Sequence, residues 1–328
     1  MKLGICTAAQ DTPPQRRWRR GLIAANLLPA TPACSAQELE RFERIMLQLR
    51  LSNGTVRTTM RHRLAEVDEK IGALLPSVFA RDTALQVEDW AVSSGITAAE
   101  WFQLLQPIYP DLTFSASDWI LYLVEARRER EGDAFVVDPR GEPIQYIRAP
   151  FVVSLTQMQH PLYFVNRTIQ RRALREWREG LAARFRVPQE WDAGNGSRQV
   201  ISQPPFTLRR LPLLHPEVLQ MRSERFRIKQ HSVFSALARP VHVIRTMNIL
   251  NRAYFSASQL HSAADAVLQS LEPAGLWIVG RTVTDNPPQH EVSVLQKIAS
   301  GWKPLFRIGQ GSEMEAVVFG NNREQSNG

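Results

Sequence analysis

The 328-residue chain contains only two cysteines, Cys6 and Cys34. Two thiols cannot form the dense disulfide framework of a small secreted domain, and they suit a reducing cytoplasm. Neither lies at ligand spacing from a His or Asp, and the seven histidines form no cluster, so no metal site is expected. Long apolar runs are also missing. No stretch approaches the roughly 18 residues of a membrane-spanning helix, so no membrane partner is expected. There is no Gly-x-Ser-x-Gly nucleophile turn and no phosphate loop with Lys. Lysine is scarce as well, at five of the 40 basic residues.

What is present is an ordinary globular balance, 44% hydrophobic and 22% charged, with a net charge of +8. That apolar content can bury a sizeable core. The basic surplus raises a nucleic-acid or acidic-membrane reading. An arginine-rich composition scattered over solvated faces is the plainer account. The run Arg16-Arg17-Trp18-Arg19-Arg20, the apolar segment 21–30 and Ala33-Cys34-Ser35-Ala36 outline a secretion signal. The apolar part is short, holds Asn26 and Pro29 and starts late. A basic lead-in to helices is the preferred reading, and the expected location is cytoplasmic.

Residues 36–80 read as helical. Ser35 and Glu38 have capping-box spacing, and Leu39, Phe42, Ile45, Met46 and Leu49 recur at helical period. Ser52-Asn53-Gly54 breaks this helix, and a second is expected over about 55–75. From residue 84 strands and helices alternate: a strand over 85–91, a helix over 97–106, a strand over 112–116 and a helix over 119–128. That alternation predicts a parallel sheet covered by helices. An insertion over about 132–225 interrupts it. Its expected parts are a hairpin around Asp138-Pro139-Arg140-Gly141, a long polar helix over 164–185 and a loop over 188–205. The rhythm resumes with strands at 226–230 and 241–246, a helix over 256–271 capped by Ser256, and a strand over 275–283. Residues 291–319 offer three strand-like pieces, an antiparallel finish to a mostly parallel sheet. The expected domains are an N-terminal helical cap over 1–80 and an α/β domain over 81–328, with cap and insertion covering its cleft.

The residues that carry chemistry cluster at the first strand end, Val87-Glu88-Asp89-Trp90-Ala91-Val92-Ser93-Ser94-Gly95. An acid closes the strand. Small residues follow at steps of two, which lets backbone approach a ligand closely, and the next helix N-terminus offers unpaired N–H groups. Asp118 ends the second strand, where a carboxylate can accept hydrogen bonds from both ribose hydroxyls of a nucleoside. Strand, small-residue turn, helix, strand and acid together predict a nucleoside cofactor at the carboxyl ends of the strands. Asp192-Ala193-Gly194-Asn195-Gly196 spells a glycine turn more literally, but neither a strand precedes it nor an apolar helix follows.

These residues resemble the class I S-adenosylmethionine-dependent methyltransferases. Asp89-Trp-Ala91-Val-Ser93-Ser-Gly95 follows their acid-x-Gly-x-Gly-x-Gly turn, with Ala and Ser in place of two glycines. Asp118 matches their ribose-binding acid. Pro273-Ala274-Gly275 is similar to their Pro-Gly-Gly turn before strand five. Weaker similarity to the chemotaxis receptor methyltransferases rests on Met247-Asn248-Ile249-Leu250-Asn251-Arg252-Ala253-Tyr254-Phe255, which stands where those have Arg-Asn-Val-Leu-Ile-Tyr-Phe. The resemblance covers about residues 84–128 and 226–319.

It implies a seven-stranded, mostly parallel, Rossmann-like methyltransferase sheet with a helical N-terminal extension and an α+β insertion. It implies S-adenosylmethionine held by Asp89, Ser93, Gly95 and Asp118, with Ser232 and Asn248 closing round it. Ser232 stands where relatives carry Asp or Asn near the adenine. Asn248 and Tyr254 are the candidate catalytic residues. The implied activity is methyl transfer to a small-molecule acceptor, a biosynthetic transferase reaction that proximity and alignment alone can drive.

Two other readings stay open. The same cofactor can lose methylthioadenosine, through cyclisation to azetidine-2-carboxylate or aminocarboxypropyl transfer. Alternatively the chain is a non-catalytic or RNA-binding module built on Arg167, Arg171, Arg172, Arg175, Arg178, Arg184 and Arg186. A solvated helix face paired with Glu176 and Glu179 is the preferred account of those arginines, because no aromatic-interleaved RNA motif accompanies them.

Overall fold

The computed structural model describes residues 22–320 except 30, 53, 58, 150, 157–163, 189–190, 192–199 and 286. Cys6, the basic run 16–20 and the literal glycine turn 192–196 lie outside the described residues. The chain divides into two compact units, one of Met1–Thr58 with Ile120–Leu219 and one of Thr59–Trp119 with Gln220–Gly328. The divisions fall after residues 58, 119 and 219, whereas the sequence reading places them at 80 and at about 132 and 225.

The second unit holds the expected seven-stranded sheet. Its strands are β1 (Gln86–Trp90), β2 (Thr113–Asp118), β9 (Phe226–Gln230), β10 (Val241–Met247), β11 (Leu271–Asp285), β12 (Pro288–Ile298) and β13 (Gly301–Ile308). Their order across the sheet is β13-β12-β11-β10-β1-β2-β9. β9, β2, β1, β10 and β11 are mutually parallel, while β12 and β13 close the sheet as antiparallel strands. The strand order reverses beside β1, where the chain turns from the β2 side of the sheet to the β10 side. Open α/β sheets bind ligands at such a switch point, outside the carboxyl ends of the strands.

Helices α2 (Ala65–Leu74), α3 (Ile96–Leu105), α6 (Ala257–Ser270) and α7 (Met314–Phe319) complete this unit. α6 starts as predicted, with a capping box between Ser256 and Gln259. Its Leu260, Ala263, Ala264 and Val267 join one core cluster with Trp90, Ile244, Trp277 and Val279 of the sheet. Two expectations are corrected here. The helix expected over 55–75 is helical only from Ala65, because the chain at Arg50 and Val56 forms an isolated antiparallel bridge instead. The third strand-like piece of the end is α7, whose Met314 and Val317 enter the same core as α6.

The first unit is built on a six-stranded antiparallel sheet ordered β6-β5-β4-β3-β8-β7. These strands are β3 (Tyr122–Arg128), β4 (Asp133–Val137), β5 (Pro143–Arg148), β6 (Phe151–Ser154), β7 (Val200–Gln203) and β8 (Phe206–Pro212). The helix expected over 119–128 is therefore a strand. Its short apolar run is buried on both faces, which periodicity cannot distinguish from buried helix. The other helices of this unit are α1 (Ala36–Gln48), α4 (Phe164–Glu176) and the short α5 (Pro216–Gln220), which crosses its boundary.

One face of the sheet packs on α1 and on the apolar segment whose Ile23, Ala24, Ala25 and Leu28 are buried. Gln145 of β5 clamps that segment, accepting from the Ala25 N–H at 2.8 Å and donating to the Ile23 carbonyl at 3.2 Å. The residues 22–28 thus belong to a folded core. The other face packs on α4 and the turns after it, through Ala173, Trp177, Leu181 and Phe185. Buried Arg128 anchors α4, donating to Asp133 at 2.8 Å and to Glu176 at 2.6 Å.

Candidate functional site

β1 ends at Trp90 and α3 begins at Ile96. The five residues between them make the turn on which the sequence reading centres. Its alternate residues are left-handed: Ala91 at φ 61°, Ser93 at φ 59° and Gly95 at φ 78°. Outside glycine that conformation costs about 1–2 kcal/mol per residue. Among the described residues, the only other left-handed non-glycines are His62, Asn248 and Ala274. Ala91, Ser93 and Ala274 are the three positions where the motifs named above carry glycine and this chain does not. The side chains differ, but the backbone keeps the shape that glycine would favour.

Asp118 locks this turn to the end of β2. Its Oδ2 accepts the Ser93 N–H at 2.7 Å, and its backbone carbonyl accepts the His231 N–H at 3.1 Å. Ser93, Asp118 and the start of the segment after β9 are thereby drawn together. Ser232 follows directly, half-buried, with its Oγ accepting the Phe234 N–H at 3.3 Å. The His231 ring lies 4.5 Å from that of Trp90, and its Nε2 is buried without a partner. Burial, reinforced by nearby Lys229, lowers the His231 pKa to about 4, so the imidazole is neutral at pH 7. Ser94 Oγ is likewise buried and unpartnered.

Asn248 stands just beyond β10. Its backbone N–H donates to the Gly280 carbonyl at 2.8 Å, and its Oδ1 accepts the Thr282 N–H at 2.6 Å. The side chain therefore fastens the end of β10 to β11, and its left-handed φ of 63° lets the chain turn there. Tyr254 is 43% exposed, with its ring 6.5 Å from that of Phe255. Phe255 in turn meets Phe234 edge-on at 5.1 Å. Tyr254 thus belongs to an aromatic group at the carboxyl edge, formed by the segments after β9 and β10.

Asp89 is placed differently from its expected role. Its carboxylate is buried and paired with Arg245, its direct neighbour in register on β10. Arg245 also pairs with Asp68 of α2 at 2.5 Å and donates to the Thr97 carbonyl of α3 at 3.2 Å. Its guanidinium lies 4.1 Å from the centre of the Trp101 ring. Asp89 is committed to this buried triad. Burial, reinforced by the like charge of Asp89, pushes Asp68 up to about 7 against the pull of Arg245. Burial also raises Asp89, again opposed by Arg245.

Sequence reasoning missed Arg245, whereas it places His231 near the cleft, as a structural hydrogen-bonding His rather than a base. The signal for Arg245 was there: a lone cation in the apolar run Val241 to Met247 must find a buried partner. For His231 the fold adds the ring contact with Trp90.

The chain matches no known family profile and no curated protein. It is similar to many solved structures at low identity, three of which serve as examples. One is an O-methyltransferase family protein from Burkholderia thailandensis, 12% identical, with 78% of this chain and 45% of that one covered and a TM-score of 0.30. Another is CalS10 with bound S-adenosylmethionine, an amino pentose methyltransferase from Micromonospora echinaspora, 7% identical, with 78% and 81% covered and a TM-score of 0.30. The third is the sugar N-methyltransferase KedS8 from a Streptoalloteichus species, 10% identical, with 80% and 79% covered and a TM-score of 0.32. The chain spans less than half the length of the first. What places it among Rossmann-like folds is its own sheet, with five parallel strands whose order reverses beside β1.

Proposed function

We propose that the α/β unit binds S-adenosylmethionine at the carboxyl ends of β1, β2 and β10 and transfers its methyl group to a small-molecule acceptor. The observation that carries this reading is the turn after β1. Three alternate residues hold a left-handed backbone although two are not glycine, and the turn is tied to the acid ending β2. Backbone strain of this kind collects at ligand sites, where the surrounding structure enforces it.

The residues present suit the cofactor. A carboxylate has about four acceptor positions, so Asp118 can hold the Ser93 N–H and receive ribose hydroxyls. Ser93 and Gly95 keep the backbone close to the nucleoside, and the neutral His231 and Ser232 flank it. Asn248 shapes the edge by fastening β10 to β11, and Asp89 supports the turn from beneath through Arg245. The cofactor supplies a methyl group on a sulfonium, which an acceptor lone pair can attack without a protein base. The chain's own contribution is then alignment, worth up to about 7–11 kcal/mol of barrier in well-oriented systems.

Calorimetry tests the binding step. S-adenosylmethionine should bind the intact chain. Asp118→Ala should weaken it about tenfold to 100-fold, the range for losing a hydrogen bond to a charged group. Unchanged affinity overturns this placement of the ribose. Mass spectrometry of the turnover products tests the reaction. S-adenosylhomocysteine supports methyl transfer, and methylthioadenosine would replace it with cyclisation or aminocarboxypropyl transfer.

A further inference from the structure

We propose that the outer face of α4 and the cavity beside its end form a binding surface for single-stranded nucleic acid, separate from the proposed cofactor site. Seven arginines against two glutamates leave residues 164–186 at +5, more than half of the net +8. The plainer account of these arginines required pairing with Glu176 and Glu179. The structure removes the first, because Glu176 pairs with Arg128 of β3 at 2.6 Å. Among the described residues, Arg167, Arg171, Arg172, Arg175, Arg178 and Arg184 make no side-chain ion pair or hydrogen bond. Six uncompensated guanidinium groups on one helical segment repel each other, and a bound polyanion relieves that repulsion.

Their spacing is ordered. Arg167, Arg171, Arg175 and Arg178 lie three or four residues apart and form one stripe, on the flank of the face that buries Ala173 and Trp177. A four-residue step advances about 6 Å along a helix, comparable with the separation of successive phosphates on an extended single strand. Arginine also suits phosphate better than lysine, because its planar fork meets two oxygens at once.

The stripe leads into a cavity of about 390 Å³. Trp177 to Leu181 form a π-helical turn there, an irregularity often found at functional sites. Arg178 belongs to both features. Arg140 and Arg186 join it on the cavity wall, with Glu142 as the opposing charge and Trp177 and Phe185 as apolar walls. A phosphate-bearing chain on the stripe can place one unstacked base in this cavity. A duplex keeps its bases stacked and cannot, which is why the proposal specifies a single strand.

The test is fluorescence anisotropy with labelled 12-nucleotide single strands of RNA and of DNA, on the full chain. Four phosphate contacts predict that affinity falls about 50-fold between 50 and 200 mM salt, from a slope of about −0.7 per contact. Changing Arg167, Arg171, Arg175 and Arg178 together to Gln should abolish most binding and flatten the salt slope. Changing the exposed Arg81, Arg130, Arg222 and Arg239 together to Gln removes the same charge and should do neither. Val187→Trp, which fills the cavity, should weaken binding about fivefold or more while leaving the salt slope intact. The RNA and DNA arms identify the sugar preferred. No binding at 50 mM salt overturns the proposal, as does equal loss in both four-arginine variants. So does polyglutamate, or a phosphatidylglycerol vesicle, that competes as well as the unlabelled strand.

Discussion

Changing Asp68 to Asn probes the buried charge at the base of the candidate site. Arg245 is 1% exposed, and it holds two carboxylates that are each 3% exposed, Asp68 and Asp89. One guanidinium cannot neutralise both, so one acid keeps its proton. Burial raises both acids, and it pushes Asp68 up to about 7. In the unfolded chain the same carboxyl ionises near 3.9. The folded value is raised, so between about pH 4 and 7 the native state holds a proton that the unfolded state has released. Asp68 therefore makes stability fall as pH rises through that window, by about 1.4 kcal/mol per unit, levelling off above 7. Asn has the same shape, still accepts from Arg245 through Oδ1, and does not titrate. The difference in unfolding free energy between variant and wild type should move toward the variant by about 2.3 kcal/mol from pH 5 to pH 7, because Asp68 is already half titrated at its folded pKa. Urea unfolding followed by tryptophan fluorescence at half-unit pH steps measures it. A difference constant to within about 0.5 kcal/mol would show Asp68 ionised against Arg245 throughout, and the one-proton account of the triad would be wrong.

Glycine at the left-handed positions should stabilise the fold. Ala91→Gly, Ser93→Gly and Ala274→Gly each remove about 1–2 kcal/mol of conformational cost and add about 0.5–1 kcal/mol of chain entropy. A net gain of up to about 1 kcal/mol each should appear as a raised Tm in calorimetric scans, whereas a loss would mean the side chains earn their places by contacts. Arg128→Met leaves buried Asp133 without its ionic partner and frees Glu176. A loss of about 3 kcal/mol or more is expected, with earlier protease cleavage along α4. Gln145→Leu removes both clamps on the segment at Ile23 and Ala25. Hydrogen exchange at those amides should rise at least tenfold while exchange in β10 and β11 stays unchanged.

Much of the α/β unit was legible because its elements satisfy local rules. Ser256 is the N-cap of α6 in sequence and in structure, where Gln259 completes a capping box. The central strand expected over 241–246 is Val241–Met247 in the structure. The insertion was harder to read. The residues 122–128 are buried on both faces, so no alternation betrays a strand, and a second sheet appears where a helix was expected. Residues 55–64 carry helix-compatible composition, yet the bridge between Arg50 and Val56 takes the chain elsewhere.

At the candidate site the two levels separate by the range of the interaction. The sequence by itself determined where the acids and small residues fall: Asp89 at one strand end, Asp118 at the next, and Ala91, Ser93 and Gly95 at steps of two between strand and helix. Those placements follow from local periodicity and turn chemistry. Only the tertiary structure decided what the side chains do. Register put Asp89 directly opposite Arg245, and a charge removed from water must take the nearest opposite charge. The same packing gave Asp118 the Ser93 N–H, Asn248 the Thr282 N–H, and Glu176 the Arg128 guanidinium that leaves the arginines of α4 unpaired. None of these partners is near in sequence apart from the turn that joins them, so only folding selects among the candidates.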